Sequence, residues 1–335
     1  MSIRQCSPPD FEIADNLVHR NAVELIVGII ALAKKEIVIV QTSLIGSMLS
    51  NLLLVLGMCF FFGGVNRIEQ HFNITVAQTA ASILALAVAG VLVPTAFTWG
   101  AGAADPEGGL DEKLSYGTAI ILLVVYGAYL FFQLSTHKEV YNAPSKKVEK
   151  RKGAKKTEGD AIAALASVGG VAVGSTGGQR VQEGTHRVPD EDPEEPTLST
   201  IGALATLLGA TALIGVCAEF MVDSINEVTC KNHVSQYFVG LILLPIVGNA
   251  AEHATAVTVA IKDKMDLAIG VAVGSSMQIA LLVLPLMVIL GWIIGADMTL
   301  VFDDFQIVVL FVSIVLVNYL IADGKSRKFS VPGLG

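Results

Sequence analysis

Seven apolar runs, each long enough to cross a bilayer as a helix, constrain this 335-residue chain more than any other feature. They cover residues 39–64, 74–100, 114–134, 198–222, 237–260, 267–294 and 305–322. Inside hydrocarbon every backbone N–H and C=O needs a partner within the protein, so spanning segments are helices or closed barrels. Runs of about 20 apolar residues specify helices. An eighth run, 21–33, makes only about 20 Å of helix. Glu12, Asp15, His19 and Arg20 stand against extending it upstream. No apolar stretch precedes residue 21, so no secretory leader is expected. The composition agrees: 53% hydrophobic, 16% charged, mean hydropathy +0.64. The expectation is an all-α membrane protein, a bundle of about eight hydrophobic segments.

Two of these segments carry nearly the same text. Asn21-Ala22-Val23-Glu24 matches Asn249-Ala250-Ala251-Glu252, 228 residues on. The register then holds without a gap: Lys34 falls on Lys262, Gly46-Ser47 on Gly274-Ser275, the run 53–56 on 281–284, and Gly63 on Gly291. Eleven identities in 43 positions, several of them polar, are more than shared greasiness supplies. Each copy holds one carboxylate within an apolar run, the pattern of duplicated secondary transporters.

If the loops alternate sides, one side collects 18 of the 22 Lys and Arg, and the positive-inside rule assigns it to the cytosol with both termini and the long central loop. Run one then leaves the cytosol while its partner, run six, returns to it. The two copies are antiparallel, an inverted repeat, which places a substrate site near the midplane where they face each other. The opposite side carries ten acids against Lys34, Lys35, Lys113 and Lys231. Such a surface either concentrates cations or is simply solvated loop.

Five regions follow: a tail at 1–20, a first transmembrane half at 21–134 with its repeat at 21–64, a linker at 135–197, a second half at 198–323 with its repeat at 240–294, and a tail at 324–335. The linker begins basic and ends acidic, at Asp190-Glu191-Asp192 and Glu194-Glu195. Its segregated charge and low hydrophobicity predict disorder. Cys6, Cys59, Cys217 and Cys230 are scattered, with neither metal-site spacing nor a disulfide framework. Gly324-Lys325-Ser326 lacks the upstream glycine of a phosphate loop, because Tyr319 stands there. Glu252-His253 lacks the second histidine of a zinc-protease helix. Asn73-Ile74-Thr75 has the pattern of a glycan acceptor but falls in a loop assigned to the cytosol. No enzyme, cofactor or nucleic-acid partner is expected; self-association is left open.

On a helix, positions i and i+3 share a face. Asn21 with Glu24, and Asn249 with Glu252, would each present an amide oxygen beside a carboxylate. Ionisable groups within a membrane are costly and usually functional; the bland alternative is a protonated Glu acting as packing glue. Two carboxylates, two amides and nearby hydroxyls suit a hard cation such as calcium, which takes six to eight oxygen ligands. Ser47 and Ser275 sit at matching places in the following helix, with Gln278 and Ser50 one turn beyond. Gly46 and Gly274 would let backbones approach, and unwound carbonyls there would complete the coordination. Apolar burial favours the neutral form of a carboxyl group. Glu24 and Glu252 could therefore hold one divalent cation or two protons at equal site charge, the minimal physics of a proton-coupled antiporter.

The strings 21–25, 41–51, Gly248-Asn249-Ala250-Ala251-Glu252-His253-Ala254 and Gly274-Ser275-Ser276-Met277-Gln278 resemble the two α-repeats of the vacuolar, fungal-type calcium/proton exchangers of the cation/calcium exchanger superfamily. The resemblance runs from residue 21 to about 328. It implies an integral protein of the vacuolar membrane that imports calcium in exchange for protons. Glu24 and Glu252 would be the calcium- and proton-carrying ligands, with Asn21, Asn249, Ser47, Ser275 and Gln278 in support. The acidic end of the linker resembles the family's acidic helix, although Pro189, Pro193 and Pro196 interrupt it. Arg20 stands where the family has Gly, further spans are expected upstream, and another is expected after Ser326. These departures suggest a chain truncated at both ends. A non-transporting or partner-dependent fragment of such an exchanger is then the alternative to an active antiporter.

Overall fold

The computed structural model describes residues 21–65, 69–101, 109–136, 200–232 and 234–327. The expected N-terminal tail, all but the first two residues of the linker, and the end of the C-terminal tail lie outside them. Residues 1–151 with 215–335 form one compact unit and 152–214 a second. The first is described below; of the second, the described part is the first half of one helix.

The first repeat opens with a short helix, α1 (Ala22–Ala33), which turns into α2 (Ile37–Leu49), a π-helical turn (Ser50–Val55) and α3 (Leu56–Gly64). Strand β1 (Glu69–His71) leads into α4 (Ile74–Ala101) and α5 (Leu110–Phe131). The second half starts at α6 (Thr200–Asn232), which runs past the expected end at residue 222. The expected span 237–260 is not one helix. A short α7 (Gln236–Phe238), a π-turn (Val239–Leu243) and α8 (Leu244–Gly248) stop at Asn249, and α9 (Ala250–Ile261) departs at 53°. Then come α10 (Met265–Gln278), a π-turn (Ile279–Val283), α11 (Leu284–Ile294), α12 (Asp304–Ile321) and strand β2 (Lys325–Arg327). Among the described residues, five helices are long and apolar enough to cross a membrane, and the bent pair makes a sixth. Their outward faces carry large apolar side chains, Ile121, Val124, Phe311 and Val315 among them, as a lipid-facing surface does.

The 228-residue correspondence extends to backbone detail. α1 and α9 end in the same turn: Glu36 N–H donates to Ala31 O and Lys264 N–H to Val259 O, while Lys35 and Asp263 take positive φ of 60° and 66°. This is the Schellman closure of a helix C-terminus. Its left-handed position usually needs Gly, and both copies hold a side chain there instead. The π-turns that follow fall in the same register, one residue longer in the first copy. Beyond them Gly63 and Gly291 each receive a returning loop. A Cβ on Gly63 would lie 2.3 Å from Gln70 Oε1, and one on Gly291 2.6 Å from Met298 Cβ. Gln70 and Met298 are themselves 228 apart and both are fully buried. Two residues enter only after this point. Asn73 caps α4 by accepting from Thr75 N–H, and Asp303 caps α12 by accepting from Phe305 N–H.

Contacts sort the connections into two groups. At one end, β1 pairs antiparallel with β2, Gln70 reaches the turn after α9, and Asn73 N–H bonds Asp266. At the other, Lys34 pairs with Asp223, Gln41 donates to the Thr299 and Val301 carbonyls, and Trp99 donates to Asp304.

Candidate ion site

The two repeats meet where α1 and α9 begin. Asn21 and Asn249 occupy the N-cap positions, yet neither side chain caps its own helix. Only the backbone does the local work, with Leu25 N–H on Asn21 O and His253 N–H on Asn249 O. Both amides are thereby released to reach across to the other repeat. Glu24 and Glu252 lie in the first turns of these helices, where the positive end of the helix dipole favours an anion.

Five side chains form a chain with one direction. Asn249 Nδ2 donates to Asn51 Oδ1 (3.5 Å), Asn51 Nδ2 to Ser275 Oγ (3.1 Å), Ser275 Oγ to Asn21 Oδ1 (2.7 Å), and Asn21 Nδ2 to Gln278 Oε1 (2.8 Å). All five are at most 4% exposed. Ser275 Oγ also lies 3.4 Å from Glu252 Oε2, which ties the second repeat's carboxylate to the chain. Beside it, Ser50 Oγ and His253 Nε2 are 3.1 Å apart.

The chain begins in an acceptor that receives nothing. Asn249 Oδ1 is buried without a hydrogen-bond partner among the described residues, and so is Glu24 Oε1. Both residues line a cavity of about 20 Å³ with Ser43, Ser47 and the apolar walls Val23, Val27, Met221 and Leu244. That is room for about one water or one dehydrated ion. An unsatisfied buried acceptor costs about 1–3 kcal/mol, and here two share a space with further oxygens.

The structure thus brings Asn21, Ser275, Gln278 and Glu252 into one bonded group and Glu24, Ser47 and Asn249 around one cavity. Asn51 joins the two. It was not singled out from sequence because its counterpart is Ile279, and a search for repeated polar residues passes over it; Ser43, opposite Val271, is hidden for the same reason. Unwinding at Gly46 and Gly274 does not occur, since α2 and α10 stay helical through both. What Gly46 permits is close approach: a Cβ there would lie 2.3 Å from Leu241 O. The interrupted backbone is at Asn249 instead. Among the described residues no three of His, Cys, Asp and Glu cluster as a metal site.

A helix broken at Asn249, a duplicated segment running in opposite directions and an oxygen-lined junction are features of the inverted-repeat membrane transporters. Within that class the chain belongs to the sodium/calcium exchanger protein family, whose model matches residues 19–135 and 202–332. It is 43% identical to a vacuolar calcium ion transporter of Cryptococcus neoformans, over 92% of this chain and 58% of that protein. It is also 43% identical to a vacuolar calcium ion transporter of Schizosaccharomyces pombe, over 92% of this chain and 64% of the other. The chain therefore spans about three fifths of the length of these fungal relatives. Among solved structures, the Ca2+/H+ antiporter protein YfkE superposes with a TM-score of 0.66 at 28% identity, covering 91% of this chain and 76% of that one.

Proposed function

We propose that this protein exchanges calcium for protons across the vacuolar membrane, as a transporter and not an enzyme. The observation that carries the reading is the junction itself. Two carboxylates, one from each repeat, stand at a junction whose linking polar groups are amides and hydroxyls. Hard oxygen donors suit calcium, and the names of the fungal relatives point the same way.

Glu24 and Glu252 would bind either the cation or a proton each. Asn249 and Ser47 would supply neutral oxygens at the cavity. Asn21, Ser275 and Gln278 would hold the Glu252 side in place through the bonded chain. The two forms of the site carry equal charge, so exchange needs no net change of charge within the membrane. The end holding β1, β2 and the turn after α9 would face the cytosol, in line with its Lys262, Lys264 and Lys325.

The test is calcium uptake by this chain reconstituted in liposomes under an imposed pH gradient. Glu252→Gln keeps the size of the side chain and removes both the titratable proton and the anionic ligand. It is expected to lower uptake at least 100-fold, and Glu24→Gln likewise. Uptake by either variant at the parent rate would remove that residue from the site.

A further inference from the structure

One hydroxyl at the cavity has no partner in the repeat. Ser43 lines the space with Glu24, Ser47 and Asn249, while its counterpart in the second repeat is Val271. Its side chain is buried, and its hydroxyl hydrogen is spent on the Val40 carbonyl at 3.1 Å. A serine that donates its one hydrogen to its own helix keeps its lone pairs free to accept. Ser275 in the other half-site is differently placed: it donates to Asn21 and accepts from Asn51. Ser43 and Ser47 are one turn apart, about 6 Å along the axis, and so share a face of α2. The wall they complete already contains the orphan oxygens Glu24 Oε1 and Asn249 Oδ1. Every polar group at this cavity can accept, and no described donor satisfies those two.

We propose that Ser43 is a direct oxygen ligand of the transported cation, found in the first repeat only. It joins Glu24, Ser47 and Asn249, the residues with which it lines the cavity. The proposal deepens the antiporter reading and rests on it.

The test titrates the purified full chain with calcium and then with cadmium, by calorimetry. Ser43→Ala is expected to weaken calcium binding about 10-fold. Ser43→Cys places a soft ligand in the same position and is expected to tighten cadmium binding at least 10-fold over the parent, because thiolates select soft metals. A packing role for Ser43 would not produce that switch. Ser313→Cys, buried in α12 with its hydroxyl on Val309 O, should change neither affinity. If Glu24→Gln abolishes calcium binding while Ser43→Ala binds as the parent does and Ser43→Cys gains no cadmium affinity, Ser43 is not a ligand and the antiporter reading stands. If Glu24→Gln binds calcium as the parent does, or the parent binds none, the site reading falls and this inference falls with it. Should Ser43→Ala fail to fold, the cadmium response of Ser43→Cys decides alone.

Discussion

The two half-sites share a backbone but differ in chemistry. In each, a short helix opens with Asn and carries Glu in its first turn, a Schellman turn follows, and the next helix presents Gly-Ser before a π-turn. On the Glu252 side Ser275 stands at the centre of a bonded group, donating to Asn21, accepting from Asn51 and lying 3.4 Å from Glu252 Oε2. On the Glu24 side Asn249 and Glu24 keep bare oxygens beside a cavity. Symmetric geometry therefore coexists with different bonding, a hydrogen-bonded serine on one side and a cavity on the other. Duplication fixed where the groups stand, and single substitutions off the symmetry, Asn51 opposite Ile279 and Ser43 opposite Val271, decided what each side does.

The contact on which both halves depend should show the largest effect. Gly46 lets α2 lie against the segment ahead of Asn249, and Gly240 on that segment faces Thr42, whose Oγ1 would be 1.9 Å from an added Cβ. Gly46→Ala meets backbone and is expected to cost about 3 kcal/mol or more, at the upper end of overpacking, with loss of folded protein in detergent. Gly240→Ala meets a side chain, so adding Thr42→Ala, which removes that hydroxyl, should recover part of its loss in thermal unfolding. A small loss in Gly46→Ala would mean that this contact is softer than its geometry.

The sharpest test of inequality pairs the two serines. Ser275→Ala strips Asn21 and Asn51 of a shared partner and is expected to destabilise by about 1–3 kcal/mol, with uptake lowered at least 10-fold. Ser47→Ala, for which no described side-chain hydrogen bond is lost, should cost less stability than Ser275→Ala and act on the half-saturating calcium concentration. The reverse ranking would erase the distinction between a bonded side and a binding side.

Smaller effects are expected at the ends of the repeats. Gln70 donates to Ala260 O and to Asp263, both at 3.0 Å, where Met298 stands in the other copy. Gln70→Met, which imposes the apolar version, should cost about 1–2 kcal/mol for the lost bonds, read as a lower unfolding temperature. Least of all, Lys35→Gly relieves a left-handed residue and should stabilise by up to about 1 kcal/mol. Asp263→Gly gains less, because it also gives up the bond from Gln70. Identical shifts in the two variants would show that the Gln70 bond contributes nothing.

Much of this was legible in the residues. The carboxylates, their asparagines and the Gly-Ser pairs were found because they recur, and recurrence of polar groups in apolar runs has few innocent causes. The same logic hid Asn51 and Ser43, whose importance lies in their failure to recur. The break at Asn249 was hidden because the run 237–260 is apolar throughout, and hydropathy reports length without direction. The π-turns leave no compositional mark, since Leu-Leu-Val-Leu suits an α-turn equally well. Gln70 is a single polar residue in a short loop, and its burial depends on where β2 arrives from the far end of the chain.

The constant offset from Asn21–Gln70 to Asn249–Met298 also bears on ancestry. Through a helix start, a Schellman turn, a π-turn and a returning loop, neither copy has gained or lost a residue relative to the other, although most of the letters have changed. A net shift of two appears only between the plugs at Gln70 and Met298 and the caps at Asn73 and Asp303. Spelling has drifted while length has stayed fixed, which marks these fifty residues as the inherited cassette, and the loop beyond Gln70 as the first place where either copy was free to be edited.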